Sequence, residues 1–224
     1  MDFINNIMRV AWKSVYSKRY YYFKILFLPI LFSIFLNITS IYGKPSSLFI
    51  YILIVIGNLI VYTTFAVFTH RAVLLGPHSV PSLTSIFLTK REFLFAGYCI
   101  LLTLMTNLIA RFFLTIMHPI LGLILGLPLS FYLLSRLIFV LPSTAIDSPI
   151  SFKTSWELSS KYQAHAFLVV FMIPIIISLP RIIVYIYPNS FTSLISGLYY
   201  IFTTILGVSC ISVLYAALLK LKLP

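Results

Sequence analysis

Six long apolar runs, separated by connections that are alternately basic and almost uncharged, limit what this chain can fold into. A membrane crossing takes about 20 mostly apolar residues, and the runs fall at about 21–42, 48–68, 93–117, 120–141, 164–187 and 191–219. With 61% hydrophobic and 9% charged residues, and a mean hydropathy of +1.06, the composition lies far from that of a soluble domain, in which about a quarter of the residues carry charge. The expectation is an all-α, polytopic membrane protein with six transmembrane helices arranged as three hairpins, forming a single transmembrane domain over 1–224 with no second soluble unit.

Lys and Arg collect on the cytoplasmic flanks of membrane spans. One side holds Arg9, Lys13, Lys18, Arg19, Arg71, Lys90, Arg91, Lys153, Lys161, Lys220 and Lys222; the other holds only Lys44. With an even number of spans, this bias places both termini in the cytoplasm. The first 20 residues are charged and aromatic and lead into an apolar run without a small-residue cleavage site, so no cleavable signal peptide is expected.

The net charge of +12 comes from 16 Lys and Arg against Asp2, Glu92, Asp147 and Glu157. Because the basic residues flank apolar runs, anionic headgroups are the expected counterions, at about 1 kcal/mol per residue, rather than nucleic acid. Lys24, Arg111, Arg136 and Arg181 fall within the runs. At 1.5 Å per residue Arg111 sits about 27 Å along its helix, near the outer headgroups. Arg181 reaches a similar depth, and Arg136 and Lys24 lie near the inner face, within snorkelling distance of water.

Each pair of runs follows an amphipathic stretch: residues 2–18, residues 82–88 and residues 149–161. In the first, Ile4, Ile7, Met8, Ala11 and Val15 recur at helical spacing. These read as interfacial helices on the cytoplasmic face. The two tryptophans, Trp12 and Trp156, are separated by almost the same distance as Pro29 and Pro174, which suggests three copies of one helix-plus-hairpin unit. Trp12, Lys13, Lys18, Arg19, Arg136, Trp156 and Arg181 are the candidate lipid and interface anchors. Gly122 and Gly126 form a GxxxG pattern, extended by Ser130, that lets two helix backbones approach within the bundle.

Chemistry-bearing residues are sparse. His70, His78, His118 and His165 are scattered over both sides, the four acids lie at span borders, and no Ser or Cys stands beside a His base. Cys99 and Cys210 fall inside spans without metal-ligand spacing and read as inert buried thiols. Gly76-Pro77 reads as a turn, since a single Gly makes no phosphate loop. No polar cluster is visible at mid-depth, so no catalytic residue, cofactor or metal is expected, and the chain reads as a non-enzyme.

The connection after the fourth run is the most defined motif: Arg136, Leu141-Pro142, Asp147, then Ser155-Trp156-Glu157-Leu158-Ser159. Pro142 is expected to stop the span. Asp147 or Ser148 is expected to cap the next helix, with Pro149 at its first position. Lys153 is expected to pair with Glu157, and Phe152 and Trp156 to share a face that enters the headgroups. Over residues 136–160 the chain resembles a broad group of bacterial six-span inner-membrane proteins. That group includes the YciC-like proteins and the membrane domain attached to some glycerophosphodiester phosphodiesterases. The matching positions are Arg136, Leu141, Pro142, Asp147, Ser155, Trp156 and Leu158. The resemblance implies a membrane domain without hydrolase activity, in the bacterial inner membrane.

The functional expectation is an envelope scaffold or accessory subunit that contacts anionic lipid and a membrane-protein partner. The alternative is a transporter or lipid-translocating component, with a cavity near the fifth span, kinked by Pro174 and Pro180, and with Arg136 or Arg181 holding an anionic head.

Overall fold

The computed structural model describes residues 2–24, 27, 31, 47–80, 89–179 and 190–220. Among them are eight α-helices and no strand: α1 (Asp2–Ser17), α2 (Leu48–Leu74), α3 (Lys90–Ile116), α4 (Pro119–Leu137), α5 (Val140–Ala145), α6 (Phe152–Ser160), α7 (Gln163–Ser178) and α8 (Ser190–Leu218).

Six spans paired as three hairpins do not describe this arrangement. Among the described residues four stretches are long and apolar enough to cross a membrane: Leu48–Leu74, Lys90–Ile116, Pro119–Ala145 and Ile201–Leu218. A fifth counts only if α6 and α7 as far as Ile176, which meet at 104°, form one broken span. Most of the first expected run, the 43–46 turn, the amphipathic 82–88 stretch and the last third of the fifth run with Pro180 lie outside the described residues. Among the described elements, α3 and α4 form a hairpin of the expected kind, and α7 and α8, from the expected fifth and sixth runs, also pack on each other. Elsewhere, close packing and not chain order chooses the neighbours. Helix α8 lies against α1, α2 and α7, while α7 also packs on α4. Helices α2 and α8 run in the same direction, since Asn58 and Tyr62 share a groove with Ile201 and Thr204 while His70 meets Ser212 further along.

The α3–α4 hairpin closes through glycine. A Cβ built on Gly122 would stand 2.8 Å from the Phe113 carbonyl oxygen and 2.9 Å from Leu114 Cα, and one on Gly126 would stand 2.9 Å from Phe113 Cβ. The two backbones therefore meet where only glycine fits.

Local chemistry sets the helix starts. The Ser47 hydroxyl accepts from the Ile50 N–H to cap α2. At α3 Glu92 reaches back to the Thr89 N–H at 3.0 Å and to its hydroxyl, a capping box. Helix α6 is capped by Ser151, which accepts from the Thr154 N–H at 3.1 Å, and not by Asp147 or Ser148. Pro142 does not end a helix either; it sits in the first turn of α5, where its missing N–H has no helical partner to lose.

The core lies at one end of the bundle, the end rich in Lys and Arg. Its largest fully buried side chains are Tyr215, Phe95, Phe139, Ile173, Leu214 and His70, and the Phe139 and Tyr215 rings stack at 6.2 Å. Buried positions occupy the second half of α2, the first half of α3, the end of α4 with all of α5, one side of α7 from Ala166 to Ile173, and α8 from Ile201; earlier in α4 only the small residues Gly122, Gly126 and Ser130 are buried. Helix α1 contributes Ile7, Ala11 and Val15 and packs on α8. Toward the opposite end Leu53, Ile56, Leu108, Phe112, Leu121 and Ile124 stay exposed, an apolar surface of the kind a bilayer covers.

Candidate functional site

The basic end carries an ionic clasp that joins three segments. Arg71, in the last turn of α2, donates from Nε to the Ser79 carbonyl at 3.0 Å. Its Nη1 reaches the Ala145 carbonyl at 3.0 Å and Asp147 Oδ2 at 2.6 Å. Gly76, at φ 88°, turns the chain so that Ser79 comes back within reach, as the Gly-Pro reading expects. From α3, Arg91 donates to both Asp147 oxygens at 3.2 and 3.1 Å, and through Nε and Nη2 to Glu92 at 2.9 and 2.7 Å. Asp147 sits at φ 61°, a left-handed conformation that Asp tolerates better than most residues. Partial burial pushes its carboxyl up, but the hydrogen bonds and charge of Arg71 and Arg91 outweigh this and hold it below the usual carboxylate range. Sequence reasoning missed the clasp. The available signal was that one of only four acids, Glu92, directly follows an arginine, Arg91.

The second feature is Arg136. The Ser155 hydroxyl donates to its carbonyl at 2.9 Å, and Ser159, one turn on, lies 3.4 Å away. Ser155 of the Ser-Trp-x-Leu-Ser motif thus docks α6 onto the end of α4, while the Ser159 hydroxyl has nearer acceptors in its own helix, the Trp156 and Ser155 carbonyls at 2.9 and 3.0 Å. Trp156, between the two serines, places its ring 4.5 Å from the guanidinium carbon, with Tyr132 edge-on to the indole at 6.4 Å. Arg136 is only 3% exposed, and its Nε and Nη1 have no hydrogen-bond partner among the described residues. It does not extend to the surface as a snorkelling side chain would. Phe152 packs edge-on against Tyr98 of α3 at 5.4 Å, and Lys153 and Glu157 form no ion pair.

The other expected anchors lie apart from Arg136. Trp12 stacks on Tyr16 at 6.3 Å and meets Phe202 of α8 edge-on at 5.9 Å; the Arg19 guanidinium lies 4.5 Å above Tyr16. Lys13 is exposed. Lys18 donates to the Ala72 carbonyl at 3.4 Å, and burial lowers its pKa. Arg181 lies outside the described residues.

A polar contact inside the bundle was also missed. His70, read as a residue beside a turn, is 1% exposed, and its Nδ1 lies 2.7 Å from Ser212 Oγ. The Ser212 hydroxyl donates to the Val208 carbonyl at 2.9 Å. Its single proton is therefore committed, and both contacts are satisfied only when His70 donates through Nδ1–H. A nucleophile and base would need the opposite polarity, so the pair pins α2 to α8. Nearby on α2, the Thr63 and Thr69 hydroxyls are buried without partners among the described residues. Cys99 and Cys210 are free, buried thiols, and among the described residues no three His, Cys, Asp or Glu side chains converge.

No family model, curated protein or solved structure matches the chain. Fold and composition define its class: an all-helical protein with several helices of membrane-crossing length and hydropathy.

Proposed function

We propose that this protein is an integral protein of the bacterial inner membrane that serves as a scaffold or accessory, partner-binding subunit of the envelope, with both termini cytoplasmic and no reaction of its own. The observation that carries this reading is how its charge is used: Arg71, Arg91, Asp147 and Glu92 are engaged with one another in holding helices together. The His70–Ser212 contact is likewise a pin. The aromatic and cationic stack of Trp12, Tyr16 and Arg19 suits a headgroup layer of anionic lipid. The resemblance over residues 136–160 to six-span bacterial inner-membrane proteins supports the same assignment.

The rival reading, transport or lipid translocation, is favoured by a groove of about 250 Å³ between α2 and α8, lined by Asn58, Tyr62 and Thr204. Two measurements on one preparation separate them. Extraction in mild detergent with mass identification of what co-elutes is expected to yield a membrane protein and acidic lipid at fixed ratio. Protein reconstituted alone is expected to leave lipid and solutes where they are. Movement of either across the vesicle wall, with no protein partner retained, overturns the scaffold reading.

A further inference from the structure

We propose that Arg136 receives a phosphate group at the basic end of the bundle, under a Trp156 ring that swings aside to admit it. The inference requires membrane residency but neither the scaffold nor the transport reading.

A guanidinium keeps its charge in a protein, and burying that charge is costly unless an anion or a full set of hydrogen bonds accompanies it. Arg136 is buried to within 3% of its surface, yet among the described residues two of its three side-chain nitrogens have no partner. The carboxylates of the clasp, Asp147 and Glu92, are already held by Arg71 and Arg91. Nor is the residue misplaced. The Ser155 hydroxyl holds its carbonyl, and an indole face orients its plane. A cation positioned this firmly with donors unused is short of an acceptor, and buried orphan donors in native proteins point to an absent water or ion.

Its position selects the ligand. Arg136 closes the last turn of α4, beside the surface where Lys153 and Lys161 are exposed. At such an end the abundant anion is the phosphate of a lipid headgroup, and basic pockets between helices bind such groups. Guanidinium also suits phosphate better than ammonium does. Trp156, 39% exposed, is the side chain over the guanidinium, so entry means moving that ring. The same chemistry would accept free phosphate.

The test uses the indole itself. Trp12→Phe leaves Trp156 as the only tryptophan, and its emission in neutral detergent is followed on adding phosphatidylglycerol, diacylglycerol with the same chains, or inorganic phosphate. A saturable change with phosphatidylglycerol and not with diacylglycerol is expected, with half-saturation weakened on the order of tenfold by Arg136→Gln and less by Arg136→Lys. A response to inorganic phosphate as well identifies the phosphate alone as ligand; a response to the lipid only identifies the headgroup. Equal responses to both lipids, or none to any probe, overturn the proposal. If Arg136→Gln fails to fold, Arg136→Met supplies the reading: phosphatidylglycerol should raise the thermal midpoint of the native chain but not of this variant. An equal rise in both overturns it.

Discussion

Asp147 accepts from two arginines on different helices while its backbone holds φ 61°. Asn tolerates that conformation too, so Asp147→Asn removes charge with little backbone strain. The folded carboxyl has the lower pKa, so its stabilisation is complete above the unfolded value near 3.9. It is lost as pH falls through the folded value. Thermal midpoints measured in detergent should fall with acidification through that window more steeply in the native chain than in Asp147→Asn; identical profiles would remove the clasp from the stability balance. Arg71→Ala leaves Asp147 to Arg91 alone and strands the Ser79 and Ala145 carbonyls, and should lower stability by about 2 kcal/mol. For His70 and Ser212, a double-mutant cycle with alanine should show coupling of about 1 kcal/mol. Persistence of a serine-directed covalent probe on Ser212 would contradict the proton assignment. None of these contacts was legible beforehand. Arg71 and Asp147 are 76 positions apart, and His70 and Ser212 are 142 apart. Charge and hydropathy mark such residues as borders without saying which borders meet.

Helices were more legible than their pairings because hydropathy and length are local properties. The GxxxG of α4 was readable for the same reason, and the structure names its partner as the Phe113–Leu114 stretch of α3. Gly122→Ala forces a Cβ into backbone and should destabilise by about 1–3 kcal/mol. Gly97→Ala, with nothing within 4 Å of the added carbon, should stabilise its helix by up to about 1 kcal/mol. Chemical denaturation of the two variants side by side checks both signs. Capping was read less well. Asp147 is drawn to the arginines, and the Ile150 N–H is taken by Ser143 Oγ at 3.3 Å, so α6 starts only after Ser151. Tertiary demand on a single acid thus displaced a helix boundary that local preference had placed earlier.

At the scale of the molecule, the unequal distribution of packing matters most. Core, clasp, Arg136 and the α1–α8 contact all gather at the end rich in Lys and Arg, whereas the far ends of α2, α3 and α4 present exposed apolar side chains. Such a bundle is rigid where it meets basic loops and broadly apolar elsewhere, which suits a protein that holds position in a membrane and offers a fixed surface on one side. Three hairpins side by side would have spread the core along their length. The sequence carried the apolar lengths, the charge bias and the pairing of α7 with α8, but could not show that α8 would also sit against α1 and α2. Orientation is the property on which lipid contact, partner access and the phosphate site depend together. With Cys99 and Cys210 replaced by alanine, single cysteines at Lys13→Cys, Ser148→Cys and His118→Cys can be labelled in intact spheroplasts with a membrane-impermeant maleimide. Labelling of His118→Cys from outside, with Lys13→Cys and Ser148→Cys reacting only after permeabilisation, is the predicted result. External labelling of Lys13→Cys or Ser148→Cys, or protection of all three after permeabilisation, would contradict a membrane protein whose packed basic end faces the cytoplasm.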